Sequence, residues 1–462
     1  MRAQRPLGRL LVRGALLACA ALPVPLAPLA AADGDLDTSY DGGAFTLAWV
    51  SGDARANVVL PIANGQLLVG GTVGEPGGND GWGVAKLDAN GTRELVWSLV
   101  FEIVYASDET MATNRELLAM GRDASDRTIL AGAINAGIGF EIPMLARLGT
   151  NGGLDDTFDE NGILPIDDMP AAWNEIHTRA AAVLPDGRTV LAGDCNHCPT
   201  DGEKWIWVTR RLADGSPDTG FSGDGWHSLR YTADGPSYVE ALVVDEAGRI
   251  TIGGRVGLPG EDASYLARLV ASSAFDGSFG GGDGIAGPFP DLLFNDLALD
   301  PSSGRIAAAG GESYSHGQLN VFTAAGLPDT TFSGDGHVDL DLEEGTGIEG
   351  VAFQSDGKLV AVGGIDANGT NNGGFFLARR LVNGNADPSF DGNGVKRIEF
   401  DAAPNVRDEA LAVTTMGGRL VAVGYAGAGG GHDAEMAVVR TENAGIFLDG
   451  FERGTTGAWS GF

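Results

Sequence analysis

The feature that most constrains this chain is an internal period of about 60 residues. A short apolar run, a turn, a second apolar run and a glycine recur seven times, as in "VVLPIANGQLLVGG" from Val58, "ALVVDEAGRITIGG" from Ala241 and "VAFQSDGKLVAVGG" from Val351. The closing glycines are Gly71, Gly132, Gly193, Gly254, Gly310, Gly363 and Gly424, and they step by 61, 61, 61, 56, 53 and 61 residues. A third apolar run follows most of them, such as "PMLARL", "YLARL" or "FLARRL". No such unit can bury its apolar face alone, so neighbouring units must stack. Seven units of about four short strands each predict an all-β chain, a seven-bladed β-propeller with four-stranded blades.

A second motif, Asp-x-x-aromatic, marks one place in the unit. Its copies are Asp37/Tyr40, Asp155/Phe158, Asp218/Phe221, Asp276/Phe279, Asp329/Phe332 and Asp387/Phe390, with a worn copy near "LDANGTREL" from Leu87. Recurrence at a fixed register makes this a fold element: Asp turns the chain, Gly supplies positive φ, and the aromatic packs beneath. The first copy has a rival reading. In "DGDLDTSYD", Asp33, Asp35, Asp37 and Asp41 take the first, third, fifth and ninth places of an EF-hand-like calcium loop. Thr38 replaces the glycine of that loop, and Ala44 its closing glutamate.

These motifs together resemble the delta-60 repeat family of exported bacterial proteins, over nearly all of 33–441. Its unit carries an L-D-x-x-F-G-x-D-G turn, a P-D-G-K hairpin and an A-L-A-R-L strand. The resemblance implies a repeat scaffold and no particular reaction.

Ring closure is legible in the charges. The third strands carry Lys86, Arg147, Arg211, Arg268, Arg380 and Arg440, and the motif Asp follows seven or eight residues later. The expected pairs are Arg147–Asp155, Arg211–Asp218, Arg268–Asp276 and Arg380–Asp387. Asp37 and Arg440 are left over at opposite ends of the chain. A ring joins them if Asp35–Val50 supplies the outer strand of the last blade, beside 435–440. An open solenoid is the alternative.

Residues 1–32 read as an export signal: Arg2, Arg5, Arg9 and Arg13, an apolar run from Gly14 to Ala30, and a small-x-small site at Ala30-Ala31-Ala32. The propeller then spans 33–445. The tail 446–462, "IFLDGFERGTTGAWSGF", departs from the period and reads as a sorting segment or a disordered end. The expected location is secreted, cell-surface or periplasmic, and the expected state is a monomer. Net charge is −32, and it moves to −36 when the four signal arginines leave. Such a chain repels nucleic acid. No segment beyond the signal reaches the ~18 apolar residues of a membrane helix. Cys195 and Cys198, in "DCNHCP", read in an exported chain as a local disulfide, with a redox pair or half a zinc site as alternatives.

Catalytic signatures are missing. There is no G-x-S-x-G, H-E-x-x-H or P-loop, and the G-x-G-x-x-G at Gly345–Gly350 precedes a strand. The leading reading is therefore a scaffold that binds a glycan or a surface protein. The varied loops after the register glycines, such as "TVGEPGGNDG" from Thr72 and "DCNHCPTDGEKW" from Asp194, would carry specificity. The alternative is a polysaccharide-acting enzyme. Glu240, Asp296, Glu349 and Glu409 lie at or just before innermost strands, and that reading requires them to converge in the central channel.

Overall fold

A computed structural model describes residues 33–47, 53–74, 80–99, 115–137, 140–170, 173, 175–196, 204–231, 236–258, 261–311, 316–340, 342, 345–365, 374–400, 407–427 and 434–442. The signal segment, Cys198, the tail and the middles of the long varied loops lie outside the described residues.

The described strands form seven four-stranded antiparallel sheets. Blade 1 is β2 (Ala54–Pro61), β3 (Leu67–Gly74), β4 (Asp80–Leu87) and β5 (Arg93–Leu99). Blade 2 is β6 (Arg115–Arg122), β7 (Thr128–Gly137), β8 (Phe140–Leu148) and β9 (Ile163–Pro165). Blade 3 is β10 (Ile176–Val183), β11 (Thr189–Cys195), β12 (Trp205–Arg211) and β13 (Trp226–Leu229). Blade 4 is β14 (Ser237–Val244), β15 (Ile250–Leu258), β16 (Glu261–Leu269) and β17 (Ile285–Pro290). Blade 5 is β18 (Asp296–Leu299), β19 (Ile306–Gly310), β20 (Gly317–Phe322) and β21 (His337–Leu340). Blade 6 is β22 (Thr346–Phe353), β23 (Leu359–Ile365), β24 (Gly374–Arg380) and β25 (Val395–Ile398). In blade 7, β26 (Glu409–Met416), β27 (Arg419–Ala426) and β28 (Glu435–Arg440) are completed by β1 (Ala44–Leu47) from the other end of the chain. The fold is thus a seven-bladed propeller closed by its N-terminal strand, with Ala44 opposite Val439 and Leu47 opposite Met436.

The first strand of each blade is innermost, and these strands pack against one another round the ring, β26 against β2 included. Each junction between neighbouring blades holds its own apolar cluster. Leu191 of β11, for example, faces blade 2, whereas Val190 and Ala192 face blade 4. Both faces of the middle strands are therefore dry. Their sequences read as unbroken apolar runs because the period-2 alternation of a strand separates two cores.

The Asp-x-x-aromatic turn fastens one blade to the next. Arg147, Arg210, Arg268, Arg379 and Arg440 each donate from Nε to a turn carboxylate, of Asp155, Asp218, Asp276, Asp387 and Asp37, at 2.7–2.9 Å. Each guanidinium lies over the turn aromatic, of Phe158, Phe221, Phe279, Phe390 and Tyr40. Nη1 reaches onward to the following blade, to the carbonyls of Ala213, Ala271, Ala324 and Ala89, and from Arg379 to the Asp33 carboxylate. The register corrects the expected partners in two blades. Arg210 and Arg379 make the pairs, not Arg211 and Arg380. Adjacent residues of a strand point to opposite faces, and Arg211 turns away to Asp168 at 2.7 Å. In blade 5 Val321 holds the place of the arginine. There Asp329 pairs instead with Arg305, at 3.5 Å, and Phe332 is fully buried.

A second cation, at the tip of the first hairpin, also reaches most of these turns. Arg127, Arg249, Lys358 and Arg419 lie 3.1–3.7 Å from Asp155, Asp276, Asp387 and Asp37. Asp37 is fully buried between Arg440 and Arg419.

Candidate functional site

The register glycines have a structural cause. A Cβ on Gly71, Gly132, Gly193, Gly254, Gly310, Gly363 or Gly424 would stand 1.8–2.0 Å from a backbone carbonyl, that of Arg55, Glu116, His177, Tyr238, Gly347 or Glu409 on the innermost strand or of Leu293 just before it. The carbonyl leans in because the innermost strand bulges there. The register slips by one between Ala56 and Val58, Leu117 and Ala119, Thr178 and Ala180, Val239 and Ala241, Ile348 and Gly350, and Ala410 and Leu411's neighbour Ala412. A bulge leaves its extra residue unpaired and re-aims the side chain. The extra residues are Asn57, Leu118, Arg179, Glu240, Glu349 and Leu411, and Asn295 holds the same place just before β18.

This set recurs at one level of the ring, at the fourth residue of β2, β6, β10, β14 and β22, the third of β26 and just before β18, in the half of the channel nearer the mouth where the innermost strands begin. Blades 3 to 6 contribute four polar members in succession, Arg179, Glu240, Asn295 and Glu349, while blades 7 and 2 contribute Leu411 and Leu118 and blade 1 contributes Asn57. Glu240, Asn295 and Glu349 line one cavity of about 270 Å³, together with Arg255, Phe294 and Gly347. Arg255 Nε donates to Glu240 Oε1 at 2.6 Å, and Asn295 Nδ2 lies 2.9 Å from the Ile348 carbonyl and 3.4 Å from Glu349 Oε2.

Electrostatics set this mouth apart. Burial, reinforced by Glu409 and Asp296, pushes the Glu349 carboxyl up to about 7. Burial raises Asp296 to about 6, even though its oxygens accept from the backbone N–H groups of Val351 at 2.9 Å and Leu297 at 2.8 Å. Glu409 accepts from the Tyr425 hydroxyl at 2.7 Å and from Arg407 at 2.8 Å.

The expected site residues divide accordingly. Glu349 of blade 6 interacts with Asp296 of blade 5 and with Glu409 of blade 7, and Glu240 shares the cavity with Glu349. Arg255 and Asn295 are site residues that sequence reasoning missed. A signal for Asn295 existed: the bulged residues stand 14 residues before the register glycine in five units, as Glu240 does before Gly254, and 13 or 15 in the other two. The acids of the proposed calcium loop do not gather. Asp33 is clamped by Arg379 and Asp37 by Arg440, and among the described residues no group of three or more His, Cys, Asp or Glu is placed to hold a metal ion. Cys195 is buried at the end of β11 and disulfide-bonded.

Fold and site together define a seven-bladed β-propeller with a polar, acid-bearing channel mouth. No family model and no curated protein matches the chain. Solved structures do resemble it. One is a protein of unknown function from Dyadobacter fermentans, at 9% identity, covering 87% of this chain and 98% of that one, with a TM-score of 0.44. Another is the polysaccharide lyase Uly1, at 10% identity, covering 84% and 90%, with a TM-score of 0.48. A third is an α-L-arabinofuranosidase of Fusarium graminearum, at 9% identity, covering 88% and 96%, with a TM-score of 0.38. At such identities the likeness is one of fold alone.

Proposed function

We propose that the protein is an exported scaffold of the delta-60 repeat kind that binds a glycan at the channel mouth, on the face it shares with the varied loops. The observation that carries this reading is the arc of bulged residues on blades 4 to 6 converging on one cavity. Ligand sites place a few convergent polar groups in a concave pocket. Here the carboxyls of Glu240 and Glu349 are aimed by backbone bulges, the Arg255 guanidinium stands on the neighbouring strand, and the Asn295 carboxamide holds the equivalent place just before β18. Neighbouring sugar hydroxyls both donate and accept, and these planar groups present matching pairs of acceptors and donors. Cys195 and Cys198, paired as a local disulfide, would brace the adjoining loop of blade 3.

The test is calorimetric titration of the purified protein with a panel of oligosaccharides. Asn295→Ala and Glu349→Gln are each expected to weaken binding about tenfold. Binding that survives both substitutions unchanged refutes the site.

One observation favours a second reading. A carboxyl raised to about 7 is protonated for a useful fraction of the time near neutrality, as a general acid requires. Release of reducing ends from polysaccharide, abolished by Glu349→Gln, would establish catalysis there.

A further inference from the structure

We propose that the tail 446–462 docks back on its own propeller, on the face opposite the channel mouth, with Phe447 covering Val382 of blade 6 and Phe451 covering Leu327 of blade 5. The inference does not depend on the glycan reading.

Exposed large apolar residues are unevenly placed on this molecule. Among the described residues they are Leu154, Leu212, Phe275, Leu327 and Val382. Each lies in the connection that leads from the third strand of a blade to the turn aspartate, one in each of blades 2 to 6. The third strand runs away from the channel mouth, so all five stand on the opposite face. Leu327 and Val382 are the most exposed of them, at 54% and 44%. Apolar residues scattered singly over a surface need no explanation. One in each of five consecutive blades, at the same stage of the unit, is a pattern that calls for a cover.

The chain beyond the fold, and the point where it departs, name the occupant. The bridge between Leu36 and Thr441 repeats in blade 7 the bridges Leu148–Leu154, Leu269–Phe275 and Arg380–Ala386 of other blades. Thr441 thus holds the place of Arg380, and Glu442 that of Leu381. In blade 7 the connection is cut, because its fourth strand comes from the other end of the chain. The chain after Glu442 therefore leaves from the stage of the unit at which its neighbour, blade 6, shows Val382. The 20 residues 443–462 follow, with a reach of about 66 Å when extended. Neighbouring sheets pack on the order of 10 Å apart, which brings blades 6 and 5 within that reach. The tail carries six large apolar residues, Ile446, Phe447, Leu448, Phe451, Trp459 and Phe462. The first stands four residues past Glu442, about 13 Å along an extended chain, and Phe451 four residues beyond Phe447, a second step of the same length. Direction follows from the other neighbour. The connection of blade 1, Asp88-Ala89-Asn90-Gly91-Thr92, offers no large apolar residue.

The test reads both sides of the contact on the purified full chain, whose mass establishes that 446–462 is present. Trypsin cleavage after Arg453 under native conditions reports release of the tail. Val382→Ser together with Leu327→Ser is expected to speed that cleavage about tenfold, through the apolar burial it removes. Leu212→Ser makes the same kind of change on blade 3, as far from blade 7 as the ring allows, and should leave the rate unchanged. From the other side, Phe447→Ser together with Phe451→Ser should speed amide exchange in 381–385 and 323–327 about fivefold. Exchange in 212–216 should stay as it was. The substituted propeller positions are exposed, so these variants are expected to fold, and circular dichroism establishes it. Equal cleavage rates in all variants, or exchange in both connections unmoved by loss of the two phenylalanines, overturns the proposal. Protection of Arg453 that disappears on dilution places the tail on a second copy and overturns the intramolecular contact.

Discussion

Arg440→Ala removes the residue that stitches the two chain ends together. Its guanidinium donates to Asp37 at 2.7 Å from Nε, lies 2.5 Å from the same oxygen through Nη2, and stacks 3.7 Å from the Tyr40 ring centroid. Asp37 is fully buried, so the substitution leaves a carboxylate in a dry site. Breaking a buried pair in this way costs about 3–5 kcal/mol. Arg419 remains 3.1 Å away and a quarter exposed, which places the expected loss at the lower end, about 3 kcal/mol. With an unfolding entropy of about 2.1 cal/mol/K per residue over some 400 residues, the melting temperature should fall by about 3–4 °C. Arg268→Ala is the control, because it empties an equivalent pair with Asp276 inside a blade whose strands are continuous in sequence. Both variants should lose comparable stability. Only Arg440→Ala should weaken hydrogen-exchange protection selectively in β1, since that strand is held by its ladder to β28 and the Asp37 clamp fastens the chain just before it. The double substitution Asp37→Asn with Arg440→Gln should show a coupling above about 1 kcal/mol. A loss below about 1 kcal/mol, or unchanged protection at 44–47, would refute the view that this pair closes the ring.

Acid and base should act on different parts of the molecule. Ser39 and Arg440 overcome the effect of burial and hold Asp37 below the usual carboxylate range, and the carboxyls of Asp155, Asp276 and Asp387 are lowered likewise. Their contribution is present above the unfolded value near 4 and is lost as pH falls through the depressed values. Glu349 and Asp296 are raised, so their contribution is present below pH about 4 and is lost as pH rises through about 6 to 7. Thermal stability should therefore peak near pH 5, and Glu349→Gln should flatten the alkaline limb, as differential scanning calorimetry across pH would record. Gly254→Ala places a Cβ 1.9 Å from the Tyr238 carbonyl and should cost about 1–3 kcal/mol by displacing the bulge that aims Glu240. Gly277→Ala, whose Cβ meets nothing nearer than 3.7 Å, should leave denaturant stability unchanged within about 0.5 kcal/mol.

The ring was readable because its marks repeat. Seven register glycines fixed the blade count, and the unmatched Asp37 and Arg440 fixed the point of closure. Other features depend on what lies across a ladder rather than along a strand. The glycines are recognisable in sequence, but the carbonyl that excludes their Cβ belongs to a residue 15 to 17 positions earlier, such as Tyr238 for Gly254 or Leu293 for Gly310. The doubled arginines at 210–211 and 379–380 are alike in charge, and only strand alternation decides which meets the turn. The same is true of the site. Glu240 and Glu349 stood out as acids near strand starts, whereas Asn295 and Arg255 gain their meaning from the cavity they share.

Closing the last blade with the first strand also sets an order of events during synthesis. Asp37 and Arg440 are separated by 403 residues. At about 5–20 residues per second, a ribosome takes on the order of 20–80 seconds to supply the partner. Throughout that interval β1 has no sheet to join, and the growing stack of blades ends in an open edge. A four-residue strand is a poor template for stray pairing, which suits a segment that must wait. The ring is therefore completed only after its last strand is made, and the earliest residues of the propeller are among the last to find their place.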